Sequence, residues 1–307
     1  MGFTDELKNK WQQPNNGLIK LIMINVIAFV VLAVFKVFFT ISGNADIYQQ
    51  YIYGGVSIPA SISDFMYKPW TIVSYFFVHS LTDFFHILFN MLVLYWFGQI
   101  IVEFIGSKKL IALYILGGLS AGTAYLLMYN LVPYFVQSAS VSTMVGASGS
   151  IYAIIVAAAV LTPDYRLNLL FIGPVKIKYI AGVAIFISFI STTGSNAGGE
   201  IAHLGGAAFG YLFITQLRNG SDWSVPVTSV LDFFANTFRP KPKMRVTYKK
   251  EVFQNVQNVR PVSNIKKTTN NSNQEVIDAI LDKISESGYE KLTTEEKQIL
   301  FNASKKK

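Results

Sequence analysis

The chain has 307 residues, 51% hydrophobic and only 14% charged, with a mean hydropathy of +0.38; a soluble domain carries about 25% charged residues. Its net charge of +8 is uneven, because residues 17–217 are apolar and 218–307 hold most of the lysines and arginines. That pattern describes a membrane domain with a basic tail, open to anionic lipid, rather than a nucleic-acid binder. With no cysteine, the chain has no disulfide, thiolate nucleophile or cysteine metal site, and no residue cluster suggests a metal or a cofactor.

In chain order, Met1 to Asn16 is polar, contains Pro14 and does not read as a cleaved signal peptide. A spanning helix needs about 20 apolar residues. Gly17–Thr40 supplies the first, and the Tyr-rich stretch Ile41 to Pro69, ending at Trp70, reads as interfacial. Phe84–Phe104 is a second span ending in Glu103, and Leu110–Tyr129 is a third with a Gly118-x-x-x-Gly122 face. Gly149–Leu161 is a short fourth, Tyr179–Ile190 the core of a fifth and Ile201–Leu217 a sixth. The expected fold is therefore an all-α membrane protein, a six-transmembrane-helix bundle with a basic tail. Lys8, Lys10, Lys108, Lys109, Arg166, Lys176, Lys178 and Arg218 gather on one side. The positive-inside rule then expects both termini in the cytoplasm and the protein in a cell (inner) membrane.

After Arg218 the chain reads as a basic linker, 218–270, with the run Arg239-Pro-Lys-Pro-Lys-Met-Arg245 and a polar, disordered stretch from Lys266 to Gln274. A small helical segment, 271–307, is expected to follow. Val276, Ile277, Ile280, Leu281 and Ile284 recur at helical spacing, Gly288 can end that helix, and Thr293-Thr-Glu-Glu296 is a capping box.

Chemistry concentrates in the apolar part. Val145-Gly-Ala-Ser-Gly-Ser-Ile-Tyr152 presents Ser148 on a turned, unencumbered backbone, as a nucleophilic serine is presented. The three histidines, His79, His86 and His203, all lie in or beside the spans, where ionisable groups are expensive and mark function. Depth brings them together. From Pro163 to Ser148 the fourth span rises roughly 22 Å, which leaves the serine roughly 8 Å short of the far surface of a core about 30 Å thick. His203 lies about 6 Å in from the same surface, and His86 and Asn90 about 4–10 Å. Ser148 can then attack a carbonyl while His203 takes its proton. His86 and Asn90, at i and i+4, can meet the oxyanion beside the Ser148 backbone N–H, and Tyr152 can pack on the imidazole. No carboxylate is read near either residue in sequence, so the arrangement reads as a dyad, not a triad. His79 reads as interfacial or structural rather than catalytic.

Gly146-Ala-Ser148-Gly149, Ala202-His203 followed by Gly206-x-x-x-Gly210, and His86-Ile-Leu-Phe-Asn90 resemble the motifs of the rhomboid intramembrane serine proteases, in the bacterial six-transmembrane form. The resemblance covers about 17–217. It implies a Ser148/His203 dyad, an oxyanion site from His86, Asn90 and Ser148, and supporting roles for Gly146, Gly149, Tyr152 and Gly206. Glu103 matches the acidic residue at the end of the family's second span, whereas Thr71 follows Trp70 where many members have arginine. The implied substrates are single-span membrane proteins cut near the outward end of the span. The rival readings are an inactive member that captures transmembrane helices and a transporter; the chain shows neither internal repeats nor the midplane carboxylates of the latter.

Overall fold

The computed structural model describes residues 16–169, 172–238 and 272–304. The chain divides into two units, residues 1–241 and 242–307. Unit one is built from α1 (Gly17–Ile41), α2 (Phe84–Ile105), α3 (Ser107–Leu131), α4 (Ser148–Leu161), α5 (Ile177–Ile190), α6 (Ala197–Arg218) and α7 (Val225–Phe238), with a long stretch of short helical pieces between α1 and α2. The expected helices appear in the expected order, most of them longer than expected. α3 begins at Ser107 because Gly106, at φ +88°, turns the chain and lets the helix restart at once. Among the described residues, α1, α2 and α3 are long and apolar enough to cross a membrane; α4 and α5, at 14 residues each, are apolar but shorter.

α4 is the axis of the unit. Gly149, Ser150, Ile151 and all of 153–159 are buried, and its main neighbours are α3 and α6. Small residues set the approach. A Cβ on Gly206 or Gly210 of α6 would collide with the Gly149 or Ala153 carbonyl, and one on Gly117 of α3 with the Ala153 side chain. Backbone therefore packs on backbone, the packing that membrane helices use in place of a hydrophobic drive. The outer surface is the reverse: Val30, Val34, Val37 and Phe38 of α1 and Val183, Phe186 and Phe189 of α5 all stand exposed. Apolar surface on that scale needs an apolar surround.

The stretch between α1 and α2 folds over one end of this bundle. Its β1 (Ile58–Pro59) pairs antiparallel with β2 (Thr143–Met144), directly before α4. Further hydrogen bonds hold it. Tyr75 donates its hydroxyl to the Gly118 carbonyl at 2.6 Å, Tyr114 donates to the Phe76 carbonyl at 2.6 Å, and Trp70 Nε1 donates to the Gly55 carbonyl at 2.8 Å. The loop is thus anchored without an arginine after Trp70; Thr71 turns its hydroxyl onto the Lys68 carbonyl. At the opposite end, β3 (Arg166–Leu169) and β4 (Gly173–Lys176) form a hairpin leading into α5. Lys176 and Lys178 hold the exposed Asp164 there, the Lys176 hydrogen bond foremost, and draw its carboxyl down to about 2.

Part of the expected linker is helical instead. Residues 225–238 form α7, which Lys109–Asp222 (2.9 Å) and Lys108–Asp232 (2.7 Å) tie to the start of α3. Its apolar side chains are interspersed with polar ones, so composition hid a helical face. Ser272 to Gln274, expected to be disordered, opens α8 (Ser272–Ser287). The run Arg239–Arg245, the rest of 239–271 and the segment 1–15 with Lys8 and Lys10 lie outside the described residues.

Unit two pairs α8 with α9 (Thr294–Ser304). Gly288, at φ +82°, stops α8 as expected. The capping box is reciprocal: the Thr293 N–H donates to Glu296 Oε2 at 2.8 Å, and the Glu296 N–H donates to Thr293 Oγ1 at 3.3 Å. Lys283 bridges to Glu296 at 2.7 Å, and Ile280 and Leu292 are buried.

Candidate active site

Between β2 and α4 the chain passes through Gly146, whose φ of +135° only glycine adopts without strain. The Gly146 N–H donates to the Tyr75 carbonyl at 3.0 Å, so the covering loop fixes this turn. α4 then opens on Ser148. Its first helical bond runs from the Ile151 N–H to the Ala147 carbonyl, which leaves the N–H groups of Ser148, Gly149 and Ser150 at the helix start. A helix N-terminus is a site of partial positive charge with free donors.

Ser148 lines a cavity of about 650 Å³ between α2, α4, α5 and α6, together with His86, Asn90, Gly146, Gly149, Tyr152 and His203. Seven of the eight residues singled out from the sequence thus surround one space. The eighth, Gly206, lies beneath it, where its missing side chain lets α6 meet the Gly149 carbonyl. A side chain on Gly146 would stand 3.1 Å from His86 Nε2 and 3.6 Å from Ser148 Oγ, so this glycine keeps open the gap that these two groups flank.

His203 is fixed on three sides. Its ring stacks on Tyr152 with centroids 4.1 Å apart and planes 5° from parallel. Its Nδ1 lies 3.1 Å from Glu200 Oε2 and 3.1 Å from Ser188 Oγ. Ser188 of α5 is fully buried and donates its hydroxyl to Tyr152 at 3.1 Å. The contacts of His203 are all on Nδ1, and among the described residues no hydrogen bond joins the ring to Ser148 Oγ.

The sequence reading placed no carboxylate near the histidine; the structure brings Glu200 to it. Glu200 is three residues before His203, on the same face of α6, and that i, i+3 spacing was the available signal. Ser188 carried no such signal, because its position depends on how α5 packs against α4 and α6.

On the other wall, Asn90 is 8% exposed and its Nδ2 has no hydrogen-bond partner among the described residues. His86, one turn earlier on α2, meets His79 edge-on with ring centroids 5.4 Å apart. His79 is fully buried, and the Phe77 carbonyl faces it outside hydrogen-bonding geometry. Burial, aided by His86, pushes the His79 imidazole down to about 3, so it is neutral at ordinary pH.

Residues 67–219 match the family model described as Rhomboid domain, and residues 264–306 match a family of unknown function, DUF6576. The chain is similar to RHOMBOID-like protein 12, mitochondrial, of Arabidopsis thaliana, at 33% identity over 44% of this chain and 43% of that one. It is similar to human presenilin-associated rhomboid-like protein, mitochondrial, at 34% identity over 43% of this chain and 34% of that one. It is also similar to Rhomboid protein 1, mitochondrial, of Saccharomyces cerevisiae, at 29% identity over 49% of this chain and 42% of that one. The chain spans less than half the length of each of these relatives. They overturn the expected location. All three are named as mitochondrial proteins, so the cell (inner) membrane with cytoplasmic termini does not stand. The physical reason is that charge bias distinguishes the two ends of a bundle and says nothing of which membrane holds it.

Proposed function

The chain belongs to the rhomboid family, and from that premise we propose that it is an intramembrane serine endopeptidase that cleaves single-span membrane proteins. Residues 17–217 are the protease domain and α1 to α6 its six spans, with α4 and α5 the short ones. Ser148 is the nucleophile and His203 the base. Ser148 Oγ attacks the scissile carbonyl carbon as its proton passes to His203 Nε2. The oxyanion is met by the Ser148 N–H, Asn90 Nδ2 and His86. His203 then protonates the departing amine, and water, deprotonated by the same imidazole, hydrolyses the acyl-enzyme. Gly146 and Gly149 leave room for these groups, Gly206 holds α6 close, and Tyr152 fixes the plane of the imidazole.

The observation that carries this reading is the single cavity that joins Ser148, at the N-terminus of α4, to a stacked His203 and an unpartnered Asn90 amide. That is the donor set a tetrahedral intermediate requires. The cavity is walled by Phe85, Phe89, Val93 and Phe97 of α2 and by Ile180 and Ala184 of α5. A substrate helix enters there as α5 moves aside and unwinds where its freed backbone groups find polar partners. The basic tail adds affinity for anionic lipid. The test is to incubate the detergent-purified protein and Ser148→Ala with a single-span substrate. Cleavage by the first alone is expected; equal cleavage by both removes Ser148 as the nucleophile, and none by either across several substrates overturns the reading in favour of a module that only captures transmembrane helices.

A further inference from the structure

We propose that Glu200 completes the catalytic group as the positioning residue of His203: its carboxylate accepts the Nδ1 proton and so keeps Nε2 free to act as base. The proposal rests on the protease reading above and adds a carboxylate to it.

The argument begins with what each neighbour of Nδ1 can offer. An ionised carboxylate only accepts hydrogen bonds. Glu200 lies in the first turn of α6, where the helix dipole favours the charged form. Its Oε2 stands 3.1 Å from His203 Nδ1, with the two side chains only 16% and 12% exposed. Ser188 points the same way independently. Its hydroxyl has one proton, and that proton goes to the Tyr152 oxygen at 3.1 Å, so it presents a lone pair to Nδ1, also at 3.1 Å. Two acceptors on one ring nitrogen require a proton there. In neutral imidazole the proton on Nδ1 leaves Nε2 with the lone pair.

Orientation follows from the same groups. Tyr152 stacks flat on the ring and prevents tilting, and the two acceptors on Nδ1 prevent a flip that would exchange the nitrogens. Residues of α4, α5 and α6 meet at this one point, so each helix fixes the base relative to Ser148. When the base takes the serine proton, the imidazolium that forms faces a carboxylate already in hydrogen-bonding contact. That charge is stabilised without reorganisation at the moment of reaction.

Losing the orienting carboxylate of a hydrolytic triad lowers kcat by up to about 10⁴. Here Ser188 keeps one acceptor on Nδ1, so Glu200→Gln is expected to lower kcat roughly 10–10²-fold, with KM changed less than about two-fold. Ser188→Ala, which leaves the carboxylate, is expected to lower it less.

The experiment uses the full chain in detergent. Cleavage kinetics are measured for wild type, Glu200→Gln, Ser188→Ala and Ser148→Ala. In parallel, ¹⁵N NMR of histidine-labelled protein, assigned with His203→Ala, reads the ring protonation of His203. The expected result is an Nδ1–H tautomer in wild type that shifts toward Nε2–H in Glu200→Gln, together with the fall in kcat. An Nε2–H tautomer in wild type overturns the proposal. So does a Glu200→Gln variant with wild-type kcat, or one whose kcat falls while the tautomer stays the same. If Ser148→Ala cleaves as well as wild type, the protease reading fails instead, and the NMR comparison still decides whether Glu200 holds the Nδ1 proton.

Discussion

Replacing Asn90 by leucine separates catalysis from stability, because Asn90 carries a cost in the resting protein and, in the proposed mechanism, a use only during reaction. Its Nδ2 is buried without a partner among the described residues. Leaving a buried donor unsatisfied costs about 1–3 kcal/mol. Leucine has nearly the same shape and no donor, so Asn90→Leu is expected to match or exceed wild-type stability, by up to about that amount. The oxyanion loses a donor at the same time. Removing one such side chain costs roughly 10²–10³ in kcat, or about 2.7–4 kcal/mol of transition-state stabilisation. The assays are thermal unfolding in detergent and steady-state cleavage of a single-span substrate, run on the same preparation. A variant that melts at or above wild type and cleaves 10²–10³-fold more slowly, with KM unchanged, supports the assignment. A clear drop in melting temperature would show that Nδ2 is structurally paired, and an effect confined to KM would move Asn90 from oxyanion stabilisation to substrate binding.

Ser148→Ala and His203→Ala are each expected to abolish cleavage, with the double variant no worse than either, since groups acting in one step are non-additive; losses that multiply in a single-turnover assay would refute the shared step. Gly206→Ala forces a Cβ onto the Gly149 carbonyl, an overpacking that costs typically 1–3 kcal/mol and moves His203 away from Ser148. Gly182→Ala on α5, where nothing lies within 4 Å of the added Cβ, is expected to gain about 1 kcal/mol of helix propensity instead; equal melting shifts for the two would refute the packing argument. For His79 the folded imidazole is depressed to about 3 against an ordinary 6.5. Between those values the unfolded chain binds a proton that the folded one does not, so this stabilisation is complete above about pH 6.5 and is lost as pH falls toward 3, by at most about 1.4 kcal/mol per pH unit. His79→Gln is expected to flatten that part of the melting-versus-pH curve, and the difference from wild type separates His79 from its neighbours His86 and Asp83; an unchanged slope would show that His79 titrates normally.

What could be read ahead of the structure was whatever local physics repeats along the chain. Apolar runs located α1 to α6, and the rise per residue was enough to bring Ser148, His203, His86 and Asn90 to one depth, where they now line one cavity. Gly288 and the Thr293–Glu296 box were legible for the same reason: a cap is decided by residues three apart. The misses had different causes. α7 was taken for linker because 225–238 lies in a stretch whose surrounding composition is polar and basic, although its own hydrophobic residues form a face. The anchoring of the covering loop was invisible because Trp70 reaches a backbone carbonyl, that of Gly55, and a carbonyl carries no side-chain signature. Glu200 was missed although it stands three residues before His203, because the sequence reading took it for a loop charge rather than part of α6. What distinguishes it is Ser188, from a helix that packs beside it only in the folded protein. The carboxylate and the hydroxyl meet on the same nitrogen of His203, and the two acceptors agree on where its proton lies. On the proposed mechanism the base is therefore set by a coincidence of three helices, and a substitution that slides α5 along α4 is expected to act on His203 without touching it.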